Sequence, residues 1–148
     1  MDKSVYIPYD MLKLADSTNT LIIPNGYFNG DDITTFNISN NGVLKQIVIG
    51  VYCFENVRVF ELDELSELES VVIGGNGFWI GGSERSDGSY RIVNCPKLKS
   101  IQIGDKSFYD YHSFELNNLP SLQSIDIGQD CFRWTPSFSL TGLIDGLV

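Results

Sequence analysis

Side chains able to do acid–base or nucleophilic work are few in this 148-residue chain. Its one histidine, His112, follows Asp110 by two positions. A histidine-activated nucleophile must lie within hydrogen-bond reach of its base. No serine or cysteine near this pair stands apart from the repeating pattern described below, so His112 reads as a surface residue. The three cysteines, Cys53, Cys95 and Cys131, lack metal-ligand spacing, and their odd number argues against a disulfide framework. The glycines of Gly74-Gly75-Asn76-Gly77 and Gly81-Gly82 are not followed by the Gly-Lys-Ser/Thr of a phosphate loop. Asn29-Gly30-Asp31-Asp32 sets two carboxylates side by side, without the alternating ligands and late glutamate of a calcium loop. The expectation is a chain that is not an enzyme, with no catalytic residue, no cofactor-binding residue, no metal ligand and no cofactor.

What does recur is spacing. Leu98-x-x-Ile101-x-Ile103-Gly104-x-x-x-Phe108 returns 24 residues later as Leu122-x-x-Ile125-x-Ile127-Gly128-x-x-x-Phe132. Earlier copies are Leu68, Val71, Ile73, Gly74, Phe78 and Leu44, Ile47, Ile49, Gly50, Phe54, with a weaker one at Leu21, Ile23 and Phe28. Between them lies a second phrase: Phe36-x-Ile38, Phe60-x-Leu62, Tyr90-x-Ile92, Phe114-x-Leu116 and Phe138-x-Leu140. Fixed-period self-similarity is the signature of a solenoid, whose units cannot bury an apolar side alone and share one core by stacking. Both phrases alternate with period two, so each reads as a short strand with one face inward. The glycine is expected to end the first strand and permit a sharp turn. Surplus residues at Gly81–Gly88 must loop outward. Cys95 takes the apolar slot of Leu65 and Leu119, and Cys53 and Cys131 share another, so all three read as small buried residues.

This unit resembles leucine-rich repeats, whose period is roughly 20–29 residues. With two strand phrases and almost no helix signal, it is most similar to the BspA-like subclass. The resemblance implies a mainly β, right-handed leucine-rich-repeat-like solenoid of about five units, with two short strands per repeat and little helix. It covers about residues 20 to 143. Where that family usually has asparagine, the four units hold Tyr52, Asn76, Lys106 and Asp130. Asparagine recurs instead at Asn40, Asn94 and Asn118, where its amides are expected to bond the backbone of the adjacent coil.

The chain length suits a single domain over 1–148: an N-terminal cap at 1–19, repeats over 20–143 and a short end at 144–148. Tyr9 to Ala15 could make one or two helical turns. An uncapped apolar end at Leu147-Val148 raises the prospect of a homo-oligomer joined through the C-terminal end, the alternatives being a longer native chain or an adequate short cap. Net charge is −9, which disfavours nucleic acid and anionic membranes. No apolar run is long enough for membrane insertion as a helix. The absence of a signal peptide and of a disulfide pattern favours the cytoplasm, or the cell surface if a leader was removed. Residues 55 to 69 hold six acids (Glu55, Glu61, Asp63, Glu64, Glu67 and Glu69), read as a solvated face or, alternatively, as a docking surface for a basic partner.

Variation between copies marks what packing does not claim. The links after each Phe should form one ridge carrying Trp79, Tyr109, Tyr111, Arg133 and Trp134, the residue types that dominate binding hot spots. The outward strand positions Gln46, Val48, Ser70, Val72, Ser100, Gln102, Ser124 and Asp126 form a second candidate surface, by analogy with leucine-rich repeats. The expected function is a protein-interaction module presenting a rigid sheet and an aromatic ridge to a macromolecular partner. Alternatives are a structural or cell-surface adhesive repeat, or a carbohydrate-binding module.

Overall fold

Alternation of apolar and polar residues sets the strands, and stacking pairs them. The computed structural model describes residues 19–79, 88–133 and 135–143, together with the backbone of strand β1, Ser4–Tyr6. The first phrase of each unit forms β2 (Thr20–Ile23), β4 (Gln46–Ile49), β6 (Ser70–Ile73), β8 (Ser100–Ile103) and β10 (Ser124–Ile127). The second forms β3 (Thr35–Ser39), β5 (Val59–Asp63), β7 (Gly88–Val93), β9 (Tyr111–Asn117) and β11 (Ser137–Thr141). The strands make two all-parallel sheets, β1-β2-β4-β6-β8-β10 and β11-β9-β7-β5-β3, so the chain is a mainly β solenoid of about five turns, with no helix among the described residues. The acidic run that could pass for a helix is a strand at Val59–Asp63, as its place in the repeat requires. The helical turns considered over Tyr9–Ala15, the surplus loop at 81–87 and the end at 144–148 lie outside the described residues.

Register follows the repeat without slippage in the first sheet: Ile47, Val71, Ile101 and Ile125 are cross-strand partners in sequence. Their inward neighbours Leu44, Leu68, Leu98 and Leu122 are fully buried. Two columns of rings run through the core. Phe28, Phe54, Phe78, Phe108 and Phe132 stack with centroids 5.1, 5.0, 4.4 and 5.3 Å apart. Phe36, Phe60, Tyr90, Phe114 and Phe138 stack beside them at 4.8 to 5.0 Å. The columns meet edge to face, as in Tyr90 against Phe108 at 4.8 Å. Aromatic pairs favour both geometries, each adding roughly 0.5–1.5 kcal/mol beyond buried area.

The backbone that delivers these rings is unusual. All five phenylalanines of the first column have left-handed φ, between 52° and 63°. Such a conformation costs an L-residue roughly 1–2 kcal/mol. It is offset by ring burial and, at Phe54, Phe78, Phe108 and Phe132, by a bond from the amide to the preceding coil, such as Phe78 N–H to the Cys53 carbonyl at 2.9 Å. Tyr52, Asn76, Lys106 and Asp130 form a second left-handed column with Gly26. Asn40, Glu64, Asn94, Asn118 and Gly142 form a third. The asparagines of this third column were expected to bond backbone with their amides. Instead the Asn118 amide donates to Asn94 Oδ1 at 2.9 Å, and that of Asn94 to Asp63 Oδ1 at 3.0 Å. Asparagine recurs there because it tolerates left-handed φ better than most L-residues.

The repeating glycine has a different cause from the one expected. Gly50, Gly74, Gly104 and Gly128 do not have left-handed φ. There is no room beside them for a side chain: a Cβ on Gly74 would sit 2.6 Å from the Gly50 carbonyl carbon, and one on Gly104 2.5 Å from the Gly75 nitrogen. Coil-to-coil approach, not turn sharpness, selects glycine at this position.

Candidate functional site

Each left-handed Phe turns its ring inward and throws the next residue outward. That next residue is Asn29, Glu55, Trp79, Tyr109 and Arg133 in successive units. These positions form a row across the coils. Trp79, 43% exposed, lies with its ring 5.8 Å from that of Tyr109, and the Arg133 guanidinium lies 5.9 Å from the Tyr109 ring centre. Three of the five residues proposed from sequence are thus brought together.

Tyr111 is not on the ridge. It is fully buried, its ring packs edge-on against Phe108 at 4.9 Å, and its hydroxyl donates to the Val57 carbonyl at 2.5 Å. The physical reason is its slot. Tyr111 stands three residues after Phe108, as Val57 does after Phe54, and Val57 is also fully buried. That correspondence was available in the sequence. Trp134 lies outside the described residues. His112 is exposed, Asp110 is buried, and the outward positions of β4, β6, β8 and β10 lie on the surface as expected.

The row borders a cleft of about 260 Å³ that the ridge residues alone did not disclose. Among the described residues it is lined by Asn29, Tyr52, Glu55, Asn76 and Trp79. Tyr52 and Asn76 come from the second left-handed column, which holds them up beside the row. Tyr52 is 62% exposed, so its ring and that of Trp79 both face solvent at the cleft. Asn29 is structural: its amide nitrogen donates to the carbonyls of Gly26 (3.2 Å) and Tyr52 (2.7 Å), and its Oδ1 accepts from the Glu55 amide (2.8 Å).

Half of the acidic stretch is answered by the next coil. Arg91 lies between Glu61 (3.7 Å) and Glu115 (2.6 Å), Lys97 bonds Glu67 (2.9 Å), and Lys99 lies 3.7 Å from Glu69. Among the described residues the Glu55, Asp63 and Glu64 carboxylates have no such cation.

Cys53 and Cys95 are buried as expected, whereas Cys131, expected to be buried, is only partly so at the edge of the core. Cys95 is fully buried in the slot shared with Leu65 and Leu119, and burial pushes its pKa up to about 11. Cys53 and Cys131 donate to the carbonyls of Pro24 and Gly104, both at 3.1 Å, and Ser107 does the same to Gly74 at 2.6 Å. Desolvation raises both of their pKa values. All three cysteines are free. No group of three His, Cys, Asp or Glu residues among the described residues is placed to hold a metal ion. None of the described residues forms a helix long and apolar enough to cross a membrane. Compared with known proteins, the chain matches no family model, no curated protein and no solved structure.

Proposed function

We propose that this chain is a non-enzymatic protein-interaction module, a repeat scaffold that presents an aromatic ridge and a rigid sheet to a protein partner. The observation that carries this reading is the row Glu55, Trp79, Tyr109, Arg133. The residue before it in every unit is an invariant core Phe, whereas the row itself varies and exposes Trp79 and Arg133 on either side of the half-buried Tyr109. Exposed residues of these types on a rigid element lose little entropy on binding and dominate interface energetics. The repeat pattern further supports placing the unit with BspA-like leucine-rich repeats. Affinity capture from the source cells, comparing the native chain with Trp79→Ala/Tyr109→Ala, tests the reading. A partner held by the native chain and lost by the variant, with an unchanged melting curve, supports it. Equal capture by both would leave a structural or adhesive role as the better account.

Self-association is a second contact with its own observation. Ile127, Phe138 and Leu140 are exposed on β10 and β11, the last strands of the two sheets. Sedimentation at rising concentration should show a dimer that Phe138→Asp returns to monomer. A monomer throughout would remove this contact.

A further inference from the structure

We propose that the cleft between Tyr52 and Trp79 seats an arginine side chain of the protein partner, an assignment that rests on the interaction-module reading above. Three observations converge. The cleft's volume, about 260 Å³, is below the roughly 300–1,000 Å³ that encloses a whole small molecule, and suits one long side chain. Two exposed rings, Tyr52 and Trp79, line it, and ring faces attract cations, with Trp the strongest. The third is that Glu55 lines it as well, and its carboxylate, like those of Asp63 and Glu64, has no ion-pair cation among the described residues.

A sugar is the competing occupant. A pyranose can stack on a tryptophan, but its hydroxyls need several free donors and acceptors. Asn29 has spent its amide hydrogens on the Gly26 and Tyr52 carbonyls, leaving Asn76, Glu55, the Tyr52 hydroxyl and the Trp79 indole N–H as the polar side-chain groups of the lining residues. A guanidinium needs less: a flat face for each ring and a carboxylate for its N–H fork. Arginine is preferred to lysine because its planar group stacks and pairs bidentately at once. The net charge of −9 raises the local concentration of a basic segment before contact.

The test is an amide and indole NMR titration of the full chain with the blocked tripeptide acetyl-Gly-Arg-Gly-amide. Parallel titrations use its citrulline counterpart, which is isosteric but neutral, and methyl glucoside. The arginine peptide should move the Trp79 indole and the Tyr52, Glu55 and Asn76 amides, with Kd on the order of 10 mM for so small a contact. Glu55→Gln, a neutral replacement at an exposed position, should weaken this roughly three- to tenfold without changing the spectrum elsewhere. Equal binding of citrulline, an unchanged Kd in Glu55→Gln, or stronger shifts with the glucoside at the same residues would overturn the assignment. Partner capture separates the two levels. If Glu55→Gln/Tyr52→Ala still captures the partner while Trp79→Ala/Tyr109→Ala does not, the arginine pocket is wrong and the interaction module stands. If neither pair of changes affects capture, both fall.

Discussion

Replacing Gly74 by alanine probes the stacking of the coils with a single methyl group. Its Cβ would meet three backbone atoms of the preceding coil: the Gly50 carbonyl carbon at 2.6 Å, the Val51 nitrogen at 2.7 Å and the Gly50 oxygen at 2.8 Å. None belongs to a side chain that can swing away, so the coils themselves must separate locally. That movement stretches the Gly74 N–H bond to the Ile49 carbonyl, 2.8 Å now. Overpacking costs about 1–3 kcal/mol, and the backbone bond weakened costs roughly 0.5–1.5 kcal/mol more. A loss of about 1.5–4.5 kcal/mol is therefore expected, against the roughly 5–15 kcal/mol that holds a typical domain folded. Gly42→Ala is the matched control. Its Cβ would have one neighbour, Ser66 Oγ at an ordinary 3.7 Å, and its φ is not left-handed. It should be neutral or stabilising by about 0.4–1 kcal/mol, through loss of entropy in the unfolded chain. Denaturant unfolding followed by circular dichroism reads both. Gly74→Ala unfolding within about 0.5 kcal/mol of the native chain would refute the claim that glycine recurs there for want of space.

Three other substitutions have expected outcomes. Tyr90 is fully buried and its hydroxyl has no hydrogen-bond partner, whereas that of Tyr111 bonds Val57; in denaturant, Tyr90→Phe should stabilise by about 1 kcal/mol and Tyr111→Phe destabilise by about 1–3 kcal/mol. Glu64 is the one glutamate in the left-handed column otherwise held by Asn40, Asn94, Asn118 and Gly142; Glu64→Asn should raise stability by roughly 0.5–1 kcal/mol, and a loss would show that φ is not what selects asparagine there. The buried Cys95 thiol has its pKa raised from 9.0 to about 11, so the unfolded chain loses that proton first. Its contribution to stability is full below pH 9 and declines as pH rises through about 11; Cys95→Ala should lower stability overall but flatten its fall across that window, as unfolding at graded pH would show.

Much of the fold was legible because a period constrains every copy at once. Phe54, Phe78, Phe108 and Phe132 recur in one place, and a solenoid turns recurrence into a column. The same logic placed Cys95 with Leu65 and Leu119, and made Val59–Asp63 a strand. What stayed hidden was the sign of φ. Residue types alone do not announce that a phenylalanine will be left-handed in every unit, and without that turn Tyr52 and Trp79 cannot be placed on facing columns. Tyr111 was misplaced because its link was treated as free to vary, although its slot is the one Val57 fills. The cleft needed both columns at once, so only the ridge half of it, through Trp79, could be read from the chain.

The central claim is that recognition lies on the row beside the core phenylalanines. Hydrogen–deuterium exchange on the partner-bound and free chains tests it most directly. The account predicts slower exchange confined to segments 52–55, 76–79, 105–110 and 130–133 on binding. Slowing confined to the outward sheet of β4, β6, β8 and β10, with those segments unchanged, would contradict it.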